Sequence, residues 1–196
     1  RRSGQPIPPG VSEVVFSDNI FKEDAEFWEQ TFTGIDVIIH AAWYAESGKY
    51  LRSSKNLDCL EGTLRMAKAA HQSGVRRFVG IGTCFEYDLS SKILTIETPI
   101  LPTTPYAAAK ASVWIMLSNM LPDLGVEFVW CRLFFLTGEN EDPRRLIPYL
   151  HKCLKSGEVA ILSSGSQIVD YLDVAEAGQK ISLVALGEVT GAINIC

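Results

Sequence analysis

The feature that most constrains this chain is an alternation of short apolar runs with longer amphipathic stretches. Residues 36–42 (DVIIHAA) are apolar almost without a break, as in a strand buried on both faces. Strands are also expected at 11–16, 77–82, 126–135, 159–162 and 192–195. Between them, helical spacing is expected at 53–73, 105–120, 143–156 and 174–186, with Leu57, Leu60, Leu64 and Ala67 on one face of the first. Gly74 and Gly157 suit helix C-terminal stops, and Pro105 suits a first turn. Strand–helix alternation of this kind implies a parallel sheet with helices on both faces. Ligands bind such sheets at the carboxyl ends of the strands. No internal repeat or interdomain linker interrupts the pattern, and the shorter elements after Gly138 suit a lobe that covers a substrate.

Charge and cysteine usage narrow the function. The 196 residues carry 23 Asp+Glu against 18 Lys+Arg, a net charge of −5, so the chain lacks the basic footprint of a nucleic-acid binder. No apolar run reaches the ~20 residues that span a bilayer. The opening residues RRSGQP have no apolar stretch behind them, so neither a signal peptide nor membrane attachment is expected. The five cysteines, at 59, 84, 131, 153 and 196, are widely separated, and no zinc or redox pair is spelled. Their neighbours are apolar, and buried free thiols in a reducing cytoplasm are expected.

The chemically informative segment is Thr104–Lys110 (TPYAAAK). Tyr106 and Lys110 are four apart, hence one turn from each other on one helix face. A free phenol has a pKa of about 10, and a nearby ammonium lowers it, so that the phenol exchanges protons with a substrate oxygen near neutrality. The same spacing also fits a surface Tyr and Lys on an alanine-rich helix. Upstream, residues 77–82 run into Thr83, whose hydroxyl at a strand's carboxyl end is placed to orient a substrate oxygen toward Tyr106, or is simply a turn residue.

With these residues in order, the sequence resembles the extended short-chain dehydrogenase/reductases, the NAD-dependent epimerase/dehydratase group acting on nucleotide sugars. Asp18-Asn19 resembles the adenine-contacting pair, and Asp36–Ala42 the D-x-V-I-H-x-A strand. Gly62-Thr63 matches the G-T helix, and Thr83–Tyr87 the S/T-x-x-x-Y segment. Tyr106 and Lys110 match the YxxxK pair, and Arg132-Leu133-Phe134 the L-R-x-x-N strand. Asp170–Ala175 and Gly191–Ile195 match two later segments. The resemblance implies a Rossmann-type doubly wound parallel sheet, with Thr83, Tyr106 and Lys110 catalytic. It places Asp18, Asn19, Ala41, Ala42, Trp43, Tyr106 and Lys110 at the cofactor NAD(P). It also implies a nucleotide-sugar substrate, and a homodimer formed through the two long helices.

Departures from the pattern are equally informative. No strand–GxxGxxG–helix unit is present. The chain therefore reads as an internal piece of a longer enzyme that lacks the first strand–helix–strand and the C-terminal end. Residues 1–138 would be a partial NAD(P)-binding domain, and 139–196 a partial substrate lobe interleaved with the last sheet elements. Arg1 and Arg2 fall where the second strand of the family ends, and arginine there favours the 2′-phosphate of NADP over NAD. Val169 replaces the arginine that neutralises a sugar-nucleotide pyrophosphate, and Phe135 replaces an asparagine; Arg144 or Arg145 are alternative diphosphate contacts, or solvated helix charges. Cys84 and Phe85 replace the Asp-Glu pair of the 4,6-dehydratases, which argues against water elimination. The expected activity is that of an epimerase or 4-keto reductase, with a non-catalytic NAD(P)-binding scaffold as the alternative. His40 is expected to be structural. Trp43 and Tyr44 either wall a ribose or nicotinamide or pack the core. Glu86 either binds a sugar hydroxyl or caps a turn. The family's asparagine before Gly62 falls on Cys59, so no role passes to it or to nearby Asn56.

Overall fold

The structure, a computed structural model, describes Ile7 and residues 9–196. Its main sheet has four parallel strands: β1 (Val37–His40), β2 (Arg77–Thr83), β3 (Glu127–Leu133) and β6 (Gly191–Ile195), in the order β1-β2-β3-β6. Two long helices, α2 (Lys55–Gln72) and α3 (Pro105–Asp123), make the crossovers β1–β2 and β2–β3. They cover one face, where Met66, Ala67, Ala70, Val113, Leu117 and Leu121 meet Phe78, Phe128 and Trp130. Helix α5 (Val174–Leu186) covers the other face, packing Ala177 and Ala185 near Val79, Ile81, Val129 and Cys131. This is the expected doubly wound parallel sheet.

Local chemistry sets the helix ends. Thr104 caps α3, its hydroxyl accepting from Ala107 N at 3.2 Å, and Pro105 occupies the first turn, where a missing N–H costs nothing. The helix α4 (Leu146–Ser156) stops at Gly157, which adopts the left-handed conformation with φ 70°. Asp173 caps α5 by accepting from Ala175 and Glu176.

Several expectations are corrected. Strand β1 is shorter than residues 36–42 and is an edge strand among the described residues; its burial alternates, with Ile39 46 % exposed, so it is not covered on both faces. Residues 11–16 and 159–162 form no strand. Val11, Phe16, Val159 and Ile161 are exposed, so their apolar side chains do not enter the core. The run 126–135 is not one strand. It breaks at Phe134 into β3 and β4 (Phe135–Thr137), which pairs in parallel with β5 (Tyr171–Asp173) in a separate two-stranded sheet. A short helix α1 (Ala25–Thr31), capped by Asp24, adds Trp28 to the core next to α2. On α2 the face of Leu57, Leu60, Leu64 and Ala67 is buried only in part. Leu57 is exposed and Leu60 and Leu64 are half-buried, while the small residues Cys59, Gly62, Thr63, Ala67 and Ala70 go inward. A Cβ on Gly62 would lie 2.5 Å from the Phe21 backbone, so the segment carrying Asp18 and Asn19 rests directly on the helix.

Of the five cysteines, Cys59, Cys84, Cys131 and Cys153 are buried free thiols and Cys196 is exposed. Among the described residues no helix is long and apolar enough to cross a membrane, and no cluster is suited to a metal ion.

Candidate active site

The carboxyl ends of β1, β2 and β3 open into a cavity of about 640 Å³. Thr83, Tyr106 and Lys110 all line it, together with Trp43, Tyr50, Phe85 and Phe135. A second cavity of about 620 Å³ is lined by Asp18, Asn19, Ala41, Ala42, Trp43 and Cys59. Ala41 and Trp43 belong to both, so the two cavities adjoin at the end of β1. The structure thus gathers the expected catalytic residues in one cavity and the expected cofactor residues around that cavity and its neighbour. Arg1 and Arg2 lie outside the described residues.

Each side chain is held by local chemistry. Thr83 ends β2, and its hydroxyl oxygen accepts from Phe85 N at 3.3 Å, capping the 3-10 turn Cys84–Glu86. Lys110 is buried, donates to the Ile81 carbonyl at 2.5 Å and stands 3.9 Å above the Trp43 ring. The Tyr106 ring meets Tyr50 edge-on at 4.8 Å and Trp43 edge-on at 6.4 Å. Trp43 is itself fixed, because its Nε1 donates to Asn56 Oδ1 at 2.8 Å. The Asn56 amide donates in turn to the carbonyls of Tyr50 (2.6 Å) and Ser53 (2.9 Å). Buried Asn56 therefore ties the Trp43 ring and the Tyr50 backbone, on the two residues that border Tyr106, to the start of α2.

The electrostatics differ from expectation. Burial pushes the Tyr106 phenol up; Tyr50 adds to the shift and the Thr83 side chain acts against it. Burial lowers the Lys110 amine to about 7, with Glu86 acting against that shift. The expected depression of the phenol by Lys110 is therefore not found: the amine is turned onto a strand carbonyl and is itself only weakly cationic near neutrality. A phenol in this state is a proton donor rather than a ready base. Cys84, whose thiol burial raises to about 11, remains protonated and does not replace a carboxylate as base.

Other candidates fall on the structural side. His40 is buried, shares a 2.9 Å hydrogen bond with Thr63 Oγ1, and is lowered to about 3 by burial and by Lys110, so it is neutral. Glu86 is fully buried; it accepts from Thr83 N at 2.8 Å and pairs with Arg132 Nε at 2.7 Å, so it caps a turn and does not reach a substrate hydroxyl. Tyr44 borders the second cavity and donates to Glu46. Arg144 is occupied by Asp142 at 2.6 Å, whereas Arg145 lines the cavity that holds Thr83 and Tyr106, 3.3 Å from Glu141. Phe135 faces the cavity and packs edge-on against Phe85 at 5.8 Å, while Val169 is not on the cavity wall. Sequence reasoning missed Tyr50 and the role of Asn56. Tyr50 carries no periodic signal, since a single 3-10 turn (Tyr50–Arg52) brings it over α3. A polar residue on the inward face of α2 was the available sign for Asn56.

The model of the NAD dependent epimerase/dehydratase family matches residues 20–196. Over 174 residues the chain is 26% identical to the dTDP-glucose 4,6-dehydratase of Streptomyces niveus, covering 87% of this chain and 52% of that protein. The Bordetella bronchiseptica enzyme WbmG, solved with NAD and UDP, superposes with a TM-score of 0.74 at 25% identity over 96% of this chain and 59% of that one. The UDP-N-acetylglucosamine 4-epimerase of Methanobrevibacter ruminantium M1, solved with UDP-N-acetylmuramic acid, gives a TM-score of 0.79 at 23% identity, covering 89% of this chain and 60% of that one, a likeness of fold. The chain spans about half the length of the dehydratase and about three-fifths of the two solved chains.

Proposed function

The chain belongs to the NAD dependent epimerase/dehydratase family, and from that premise we propose that it carries the reacting half of a nucleotide-sugar epimerase or 4-keto reductase. The observation that supports this most is the shared cavity of Thr83, Tyr106 and Lys110, which adjoins the Asp18–Asn19 cavity at Ala41 and Trp43. The residues present fit a dinucleotide along that line. Two alanines leave the end of β1 low, Trp43 gives a flat wall, and Lys110 supplies a donor. Bound NAD(P) would supply hydride transfer to and from a sugar carbon.

The chain's own residues account for the proton. Tyr106, neutral and walled by Trp43 and Tyr50, donates to the carbonyl oxygen of a keto sugar as hydride arrives, or takes the proton back in the reverse step. Thr83 orients that oxygen by hydrogen bonding. Lys110 fixes the Trp43 ring and contributes positive charge when protonated. Arg145 is the cation available on the cavity wall for a diphosphate, and NADP rather than NAD is favoured by Arg1 and Arg2.

Tyr106→Phe tests the reading. Turnover should fall by roughly 10²- to 10⁴-fold with cofactor affinity nearly unchanged, and unchanged turnover refutes it. Cofactor stoichiometry separates the two activities: an epimerase runs on catalytic cofactor and a reductase consumes it. A second reading, an NAD(P)-binding scaffold without turnover, is favoured by the apolar Phe135 on the cavity wall and the raised Tyr106 phenol. Cofactor binding with no turnover on any nucleotide sugar would support it.

A further inference from the structure

Among the described residues one carboxylate, that of Glu86, is fully buried, and it does not line the cavity. Glu86 Oε1 accepts from Thr83 N at 2.8 Å, and both its oxygens lie 3.0 Å from Trp130 Nε1. Arg132 Nε donates to Oε2 at 2.7 Å, and Arg132 also donates to the Tyr87 hydroxyl at 3.1 Å. Tyr87 continues to Asn194 Oδ1 at 2.7 Å, so the turn after β2 is bolted to β3 and β6. The backbone makes room for this arrangement. A Cβ on Gly82 would collide with Trp130 Nε1 and lie 2.6 Å from Glu86 Oε1, and one on Gly80 would collide with the same indole. Two glycines on a central strand are therefore required for the indole to reach the carboxylate.

Taking Thr83, Tyr106 and Lys110 as the reacting set, as proposed above, we infer that Glu86 is a positioning residue that pins the backbone from which Thr83 enters the cavity and supplies the countercharge to the buried Lys110 amine. Lys110 Nζ bonds the Ile81 carbonyl and stands 5.8 Å from the centroid of the Trp130 ring, the indole whose Nε1 donates to Glu86, and Glu86 holds Thr83 N two residues along β2 from Ile81. The other titratable groups acting on the amine are Cys59 from α2 and His40 from β1, with Tyr106 one turn away on α3. Burial raises the Cys59 thiol and the Tyr106 phenol, and His40 is neutral, so near neutral pH none of these three offers negative charge. Among the described residues no carboxylate forms a direct ion pair with Lys110; the Glu86 carboxylate acts on it through a low-dielectric interior.

The test needs no turnover and so stands apart from the enzymatic reading. In the unmodified chain the Thr83 amide should be strongly protected from hydrogen exchange, and a fast-exchanging Thr83 amide overturns the proposal outright. Glu86→Asp retains the charge but shortens the reach, and should speed exchange at Thr83 about 10-fold or more; unchanged exchange overturns the pinning. The Lys110 midpoint is read from the ¹³Cε NMR signal, assigned with Lys110→Met. Glu86→Gln should lower it by about one pH unit. Because that change leaves Arg132 as an unpaired buried charge, Glu86→Gln with Arg132→Met provides a version without it, in which the midpoint should still fall but by less, since the cation that opposed Glu86 is gone as well. A folded variant of either kind with an unmoved midpoint overturns the countercharge role. If the chain never turns over a nucleotide sugar but these shifts occur, the enzymatic reading fails and the positioning role remains.

Discussion

Lys110 Nζ donates to the Ile81 backbone carbonyl at 2.5 Å, joining the second turn of α3 to β2, an inner strand of the sheet. That bond holds α3 against β2 and directs the amine at the cavity floor, beside the Trp43 ring. Burial around it has a price in pH dependence. The amine titrates near 7 in the folded chain and near 10.5 when unfolded. Between those values the unfolded chain binds a proton that the folded chain does not, so stability falls as pH drops from 10.5 to 7, by about 1.4 kcal/mol per unit, and is flat below. Lys110→Met should abolish that slope and keep or raise stability at pH 6, while turnover drops ~100-fold or more. Denaturant midpoints at several pH values, paired with turnover, check both halves.

His40 gives a second pH dependence, at lower pH. Its ring is lowered from 6.5 to about 3, first by burial and then by Lys110. The folded pKa is depressed, so the stability held above 6.5 is lost as pH falls toward 3, again by about 1.4 kcal/mol per unit. His40→Gln retains a side chain able to bond Thr63 but cannot titrate. It should flatten the acid limb below pH 6 without changing stability at pH 8, and a limb as steep as that of the unmodified chain would exclude His40 as its source.

Asn56 is the buried neutral side chain that fixes the Trp43 wall of the cavity. Asn56→Ala leaves the Trp43 indole N–H without its partner and takes one of the donors from the Tyr50 and Ser53 carbonyls, which keep the backbone N–H groups of Ser53 and residue 56. The loss should be roughly 2 kcal/mol, in the range for a buried group left unsatisfied. It should also free the Trp43 ring, red-shifting its emission, read as the difference from Trp43→Phe. Chemical denaturation with unshifted Trp43 emission would show that the ring is held by packing rather than by the amide.

The parts of this molecule that were legible in its sequence are those set by local rules. Pro105 and Gly157 mark helix ends because their backbone chemistry permits little else. The apolar run before Thr83 is a strand buried along its whole length. What sequence could not give depends on neighbours. Ile39 belongs to a near-continuous apolar run yet is half exposed, because burial on a second face is decided by what lies beyond the strand. Val159 and Ile161 have strand composition yet are exposed and form no strand. The Tyr106–Lys110 spacing placed both groups in one cavity, but their charge state turned on desolvation and on the Ile81 carbonyl, neither of which appears in a four-residue motif. Glu86 reads as a turn residue or a ligand until Arg132, 46 positions later, is seen against it.

The outward side of the long helices carries the last prediction. Leu57 is 57 % exposed on α2, and Ile115 and Met116 are 56 % and 48 % exposed on α3. The leucine stripe is partly outside because the interior of α2 is built from small residues that let it approach α3 and the sheet. A helix that buries alanines and shows leucines has apolar area left to cover. Two copies meeting through α2 and α3 would cover it, and the resulting assembly should have twice the chain's mass in light scattering. Leu57→Glu with Ile115→Glu places charge on that face without touching the core, so the mass should halve while the denaturation midpoint of the dissociated chain stays within ~0.5 kcal/mol of the dilute unmodified chain, as for surface substitutions. A unit mass that does not change with concentration, in both forms, would leave the two helices without a partner copy and exclude the dimer.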